Sequence, residues 1–399
     1  MTSPQELALV TYSTKPRGGV VHTLSLAEAL HRQGVPVHLI ALGERDAGFF
    51  RPTPVPHTII PAPRREATLE ARVFASLDTL AEGLAELSDR FDILHTQDCI
   101  SARAAARVRD AGAPVTVVRT VHHVDDFTTP ALIDCQRRAI FEPDRVLVVS
   151  EYWRELLRTE YDVESHVVAN GVDPRRFGPL PAELRSRLRK GIGAENRFLF
   201  LAVGGVEPRK GTVHLFRAMS ILKDLMDTPP VLAVVGGHSF QDYADYRDAA
   251  LSALPALGLE LGTDVVLLGT VPDSELSAWY RAADALAFPS VKEGWGLAVL
   301  EAMSAELPVI ASDLPVFKEY LTDRRNALLT PVADAAALAR GMRELAESPE
   351  LRTRLRLGSR PTVSRFTWEA SAAQHAEIYQ DIRSAGGGAR PAGAVRKAG

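Results

Sequence analysis

The chain has 399 residues, 46% of them hydrophobic and 24% charged, which is enough for more than one hydrophobic core and favours two domains of an ordinary globular protein. The formal net charge of −4 lacks the basic excess of a nucleic-acid-binding surface. Cys99 and Cys135, the only two cysteines, stand outside any CxxC or His/Cys cluster, so neither a disulfide framework nor a structural zinc site is indicated.

In chain order, Leu7–Tyr12 is a short apolar run leading into Ser-Thr-Lys-Pro-Arg-Gly18-Gly19. From Val20 to Gln33 the apolar residues Val20, Leu24, Leu26, Ala27 and Leu30 recur at helical spacing, and Gly34 fits a helix stop. Val35–Leu42 reads as the following strand. This is a βαβ unit, whose parallel strands require a crossover helix. Further on, Asp92–Thr96 is an expected strand, Cys99–Asp110 a helix, Pro114–His122 a strand, Arg145–Ser150 a strand and Glu151–Glu160 a helix. Strands alternating with helices predict a doubly wound parallel α/β sheet.

A second series of the same kind starts near Phe198, with strands expected at Phe198–Val203, Val231–Val235, Val265–Leu268, Ala285–Phe288 and Val309–Ala311. The turn-rich segment Asn170-Gly-Val-Asp-Pro-Arg-Arg-Phe-Gly-Pro-Leu-Pro181 separates the two series and marks the domain boundary. Residues 1–170 are therefore expected to form the first domain and 171–365 the second. Ala335–Gly358 reads as one helical stretch, Trp368–Arg383 as a last amphipathic helix within a segment 366–383, and the glycine-rich tail 384–399 as disordered. No apolar run reaches the ~18 residues of a spanning helix. No charged-then-apolar signal segment opens the chain. The helix expected after Pro63 is mixed in charge, which disfavours a basic membrane-binding face, and a cytoplasmic enzyme is expected.

The stretch Glu293-Gly-Trp-Gly-Leu-Ala-Val-Leu-Glu301 carries the most chemistry. Gly294 and Gly296 flank Trp295 and let backbone approach a ligand closely. A helix opening near Gly296-Leu297 presents unpaired N–H groups and a partial positive charge suited to a phosphate. Glu293 and Glu301 accept hydrogen bonds from hydroxyls but repel a bare phosphate. The combination calls for a ligand that is anionic in the middle and rich in hydroxyls at both ends, as a nucleotide sugar is. Arg209 and Lys210, at another helix start, add two cations. Gly18-Gly19 sits at the carboxyl end of the first strand, where open α/β sheets bind ligands, and its amides suit an anion. Neither G-x-G-x-x-G nor a P-loop motif is present, which argues against a dinucleotide site.

Together with the strands on either side of it, the Glu293–Glu301 segment resembles the donor-site signature of retaining glycosyltransferases of the GT-B fold, family 4. The resemblance runs from about Leu7 to Tyr379 and is thinnest between Gly43 and Leu94. It implies two Rossmann-like domains facing a central cleft, an N-terminal acceptor domain and a C-terminal donor domain, with the last helix crossing back onto the first. It implies transfer of a hexose from a nucleoside diphosphate to an acceptor hydroxyl, with no metal and no further cofactor. Lys210 is then expected at the donor phosphates, Glu293 at the sugar hydroxyls, Glu301 at the ribose, His122 beside the sugar, and Thr270 and Val271 in the loop that reads the base. Gly18, Gly19, Gly294, Trp295, Gly296 and Leu297 complete the expected donor set. The family commonly has an arginine five positions before the lysine. Here that position is Gly205, and Arg209 is the candidate to supply the charge. Asn170-Gly171-Val172-Asp173 with Phe177 resembles the family's N-G-V-D-x-x-x-F junction element, read here as a hinge. The nearly consecutive His122, His123, Asp125 and Asp126 are weighed as metal ligands and set aside, because residues on alternating sides of a strand point apart. A sugar-nucleotide epimerase of the same fold and a non-catalytic sugar-nucleotide-binding protein are the alternative readings. The sugar, base, acceptor and oligomeric state carry no mark in the sequence.

Overall fold

The computed structural model describes residues 6–45, 47–237 and 243–385. The chain divides into two compact units, one made of the residues up to Asn170 together with those from Trp368 onward, the other of Gly171–Thr367.

The first unit contains β1 (Leu7–Thr11), α1 (Gly18–Arg32), β2 (Val37–Gly43), β3 (His57–Pro61), α2 (Leu69–Leu87), β4 (Ile93–Thr96), α3 (Cys99–Asp110), β5 (Thr116–Val121), α4 (Pro130–Phe141), β6 (Arg145–Val148), α5 (Glu151–Tyr161) and β7 (His166–Val167). Its strands form one parallel sheet in the order β3-β2-β1-β4-β5-β6-β7. β1, β2, β4 and β5 are buried almost throughout, as strands covered by helices on both faces must be. Asp98 caps α3 by accepting from Ser101 N–H at 2.7 Å, and the Ser150 hydroxyl accepts from Trp153 N–H at the start of α5. β3 and α2 fall in the stretch 43–94 where the strand–helix alternation is least legible. β3 is a partly exposed edge strand, while α2 buries Val73, Leu77, Leu80 and Leu84 along one stripe.

The second unit contains α6 (Ala182–Gly191), β8 (Leu199–Val203), α7 (Thr212–Leu225), β9 (Val231–Val235), α8 (Ala244–Ser252), β10 (Val265–Gly269), α9 (Asp273–Ala282), β11 (Ala285–Phe288), α10 (Leu297–Ser304), β12 (Val309–Ser312), α11 (Pro315–Lys318), β13 (Leu328–Thr330), α12 (Ala335–Glu347) and α13 (Pro349–Arg365). The parallel order is β10-β9-β8-β11-β12-β13. Phe200, Phe216, Met219, Leu222 and Leu345 belong to its core.

The single helix expected over Ala335–Gly358 is two. The Ser348 hydroxyl accepts from Leu351 N–H at 3.1 Å, and Pro349 opens a new helix where its missing N–H costs nothing. α13 then continues past Gly358 to Arg365.

α14 (Trp368–Ser384) packs on α1 in the first unit. Arg383 donates to both carboxyl oxygens of Asp92, at 2.6 and 3.0 Å, and Tyr379 is buried within hydrogen-bonding distance of His95. α14 begins at Trp368, as expected, but the crossover segment expected over 366–383 loses its first two residues to the second unit. Phe366 and Thr367 stay with the second unit because Val172 N–H donates to the Phe366 carbonyl at 3.0 Å and Val172 bridges Thr367. The expected disordered tail lies, from residue 386 on, outside the described residues.

Candidate functional site

In the second unit the strand order reverses between β8 and β11, and ligands of open α/β sheets bind beyond the carboxyl ends of such a pair. The loop after β8 carries Gly204–Gly211 and the loop after β11 carries Pro289–Gly296. They are joined by backbone, since Val291 N–H donates to the Arg209 carbonyl at 2.8 Å.

Side chains from the two loops converge on one carboxyl oxygen. Lys210 Nζ donates to Glu293 Oε1 at 2.6 Å, Ser290 Oγ donates to the same oxygen at 2.9 Å, and Arg209 Nη1 lies 3.5 Å from it. Arg209 Nε also faces Glu207 at 3.3 Å. Burial pushes the Glu293 carboxyl up, but Lys210, Arg209 and Ser290 outweigh it and hold the group below the usual carboxylate range. Burial and the neighbouring Arg209 pull the Lys210 ammonium down, against the attraction of Glu293. Lys210 Nζ also sits 4.6 Å from the centre of the Phe288 ring.

Gly205 has φ +75°, and a Cβ there would stand 3.0 Å from the Gly237 carbonyl oxygen. The backbone of this turn would therefore strain an arginine at position 205, and Arg209 is the guanidinium found at Glu293.

Gly296, at φ +89°, precedes α10, and a Cβ there would meet the Phe317 ring at 2.6 Å. Tyr320 stacks on Trp295 at 4.8 Å and donates its hydroxyl to the Trp295 carbonyl at 2.7 Å, which fixes the turn. α10 starts at Leu297, and Glu301 lies just over one turn along it, only 9% exposed. Tyr280 donates to Glu301 Oε2 at 2.8 Å, and Arg176 Nη1 lies 3.6 Å from Oε1. Thr270 and Val271 follow β10 at the same edge of the sheet, beside the Gly236-Gly237 turn after β9.

The first unit gathers its own candidates at the carboxyl ends of β1, β4 and β5. Gly18 and Gly19 open α1, and a Cβ on Gly19 would stand 3.9 Å from the His122 ring. His122 Nε2 donates to Gln97 Oε1 at 3.1 Å, and its ring meets His22 edge-on at 4.6 Å. His22 Nδ1 donates in turn to Asn170 Oδ1 at 2.9 Å. Burial, aided by neighbouring cations and imidazoles, drives His122 and His22 well below the usual histidine range. Beyond β5, His123 Nε2 and Asp125 Oδ1 are 3.3 Å apart. Among the described residues no group of three or more His, Cys, Asp or Glu is placed to hold a metal ion. Cys99 and Cys135 are free thiols, and no described helix is long and apolar enough to cross a membrane.

Several neighbours had no signal of their own in the sequence. Ser290, Glu207 and Gln97 are polar residues in loops. Tyr280 lies on α9, outside the motifs. Arg176 occupies a variable position inside the junction element.

Residues 185–360 match the family described as glycosyl transferases group 1, and residues 16–176 match Glycosyltransferase Family 4. The D-inositol 3-phosphate glycosyltransferase of Thermobispora bispora is 30% identical over 73% of this chain and 71% of that protein. The protein of the same name from Streptomyces scabiei is 26% identical over 94% of this chain and 91% of its own length. Sucrose-phosphate synthase from Thermosynechococcus elongatus superposes with a TM-score of 0.79 at 21% identity, covering 96% of this chain and 100% of that one. Anabaena HepE in complex with UDP-glucose gives 0.76 at 18% identity, over 94% and 99%. The two-domain α/β architecture is the GT-B fold. With both sequence segments matched and a 30% identical relative spanned over most of its length, the chain belongs to the group 1 glycosyltransferases, family 4.

Proposed function

We propose that this glycosyltransferase moves a hexose from a nucleoside diphosphate to an acceptor hydroxyl with retention of anomeric configuration. The observation that carries the reading is the convergence of Lys210 and Arg209 on Glu293 at the strand-order reversal of the second unit, next to the start of α10. In glycosyl transfer, positive charge grows at the anomeric carbon while the diphosphate takes up negative charge. A lysine, an arginine and a helix N-terminus, gathered from the loops after β8 and β11, stabilise that leaving group. Preorganised donors of this kind are typically worth about 3 kcal/mol each.

In this reading Glu293 takes sugar hydroxyls while keeping both cations oriented, and Glu301 takes the ribose. The Thr270-Val271 loop borders the base. His122 and the Gly18-Gly19 amides of the first unit are the further donor contacts that the family resemblance assigns. The acceptor's own oxygen loses its proton to the donor phosphate, with no protein nucleophile and no metal.

HepE was solved with UDP-glucose, and relatives carry the name D-inositol 3-phosphate glycosyltransferase, so UDP-hexoses and that polyol phosphate are the first donor and acceptor to try. The test is a thermal-shift screen of nucleoside-diphosphate hexoses, followed by product analysis. A ligand at a hundredfold excess over its Kd should stabilise by about 3 kcal/mol. The product should be an α-glycoside from an α-linked donor, formed together with free nucleoside diphosphate. Donor turnover without any transfer product would favour an epimerase, and inversion would remove the retaining mechanism.

A further inference from the structure

Arg176 lies in the short 3₁₀ turn Pro174–Phe177 of the junction element and reaches the carboxylate that ends the donor signature. Its Nη2 donates to Asp273 Oδ1 at 2.5 Å, at the first residue of α9, while Nη1 stands 3.6 Å from Glu301 Oε1. Tyr280, about two turns further along α9 and fully buried, donates to Glu301 Oε2 at 2.8 Å. Phe177 packs edge-on against the Tyr280 ring at 5.7 Å, so the turn and the helix are locked together. Each oxygen of Glu301 thus has a partner from a different element, and neither partner belongs to the Glu293–Glu301 motif.

The arrangement answers two physical problems. A glutamate side chain has three rotatable bonds, and ordering them at the moment of binding costs affinity. A clamp on both oxygens orders them beforehand. A buried carboxylate close to a diphosphate is also repulsive, and Arg176 offsets that charge without itself belonging to a phosphate-binding loop. Tyr280 faces an acceptor-only group, so its hydroxyl stays a donor.

We propose that Arg176 and Tyr280 are positioning residues that orient Glu301 to read a ribose diol, and that through them the site prefers ribonucleoside diphosphates to their 2′-deoxy counterparts. This rests on the assignment of Glu301 to the ribose. The experiment is isothermal titration of the full-length protein with UDP, ADP and GDP, each paired with its 2′-deoxy form, continuing with the pair whose ribo member binds most tightly. The unsubstituted protein should prefer the ribo form about tenfold or more, the scale of one hydrogen bond to a charged group. Glu301→Gln should bring it to within about twofold of one, the range left when a hydrogen bond of that strength is lost. Arg176→Met and Tyr280→Phe should each lower it, while Arg176→Lys retains part of it. Absence of a ribo preference in the unsubstituted protein, or an unchanged ratio in Glu301→Gln, would overturn the ribose assignment and the proposal together. A lowered ratio in Glu301→Gln with the original ratio intact in folded Arg176→Met and Tyr280→Phe would overturn the positioning role alone. Should Arg176→Met fail to fold, Tyr280→Phe, which removes one oxygen, decides.

Discussion

Lys210 Nζ and Glu293 Oε1 meet at 2.6 Å with both side chains almost entirely buried. The two residues come from loops after β8 and β11, 83 positions apart in the chain, so their pairing is a property of the sheet order. It holds an ammonium group where a phosphate is expected and keeps the charge compensated until a ligand arrives.

Removing one partner leaves an uncompensated buried charge, which typically costs about 3–5 kcal/mol. Lys210→Met and Glu293→Gln should each lower the thermal midpoint, Glu293→Gln by more because Lys210 and Arg209 both lose a carboxylate contact, Arg209 keeping the one to Glu207. The double substitution should cost clearly less than the sum of the singles. Strict additivity in a double-mutant cycle would show that the pair contributes nothing to stability.

For catalysis the same residue matters through the leaving group. Lys210→Ala should cut turnover by about 10²–10³, the typical loss for one preorganised donor. Arg209→Ala should follow in the same direction with a smaller loss, given its longer approach to Glu293. Near-normal turnover in Lys210→Ala and Glu301→Ala, with the protein folded, would refute the site assignment.

Restoring the family's arginine should fail. Gly205→Arg places a side chain at φ +75° with its Cβ 3.0 Å from the Gly237 carbonyl oxygen. A left-handed non-glycine residue alone costs about 1–3 kcal/mol, so the variant should melt several degrees lower without gaining activity. A Gly205→Arg protein as stable and more active than its parent would show that Arg209 is no substitute.

Turnover is expected to survive EDTA, because the cations assigned to the diphosphate are side chains. Loss of activity that Mg²⁺ or Mn²⁺ restores would redirect attention to His122, His123, Asp125 and Asp126.

Acid should destabilise the first unit. His375 on α14 is held down to about 4 by burial, and His22, His95 and His122 are also driven well below their ordinary value. The unfolded chain protonates these imidazoles near pH 6.5, while the folded chain resists until the pH approaches the depressed values. Stability is therefore full above about pH 6.5 and falls as the pH drops through this window. For His375 alone the loss from pH 7 to pH 5 is about 2 kcal/mol. Thermal midpoints measured over that range should decline, and His375→Gln should flatten the decline. A midpoint independent of pH between 7 and 5 would contradict the neutral, buried state of these rings.

Period and punctuation made much of this architecture readable from the amino acids alone. The buried strands Val231–Val235 and Ala285–Phe288 and the helix Cys99–Asp110 lie where their apolar runs and caps place them, because each is decided by local geometry and by burial on both faces. The family was legible in Glu293–Glu301, since the glycines, the helix start and both carboxylates fall within one continuous stretch of chain. The break at Ser348-Pro349 was written in the residues as well, but an unbroken Ala, Leu and Arg pattern on either side masked it. What only the tertiary structure decided is which distant side chains share an oxygen atom. Lys210 and Ser290 meet at Glu293 because β8 and β11 are neighbours, and Arg176 and Tyr280 clamp Glu301 because the junction turn packs on α9. Sequence periodicity reports which face of an element is buried. It does not report which element lies opposite, and that partner is set by the order of strands in the sheet.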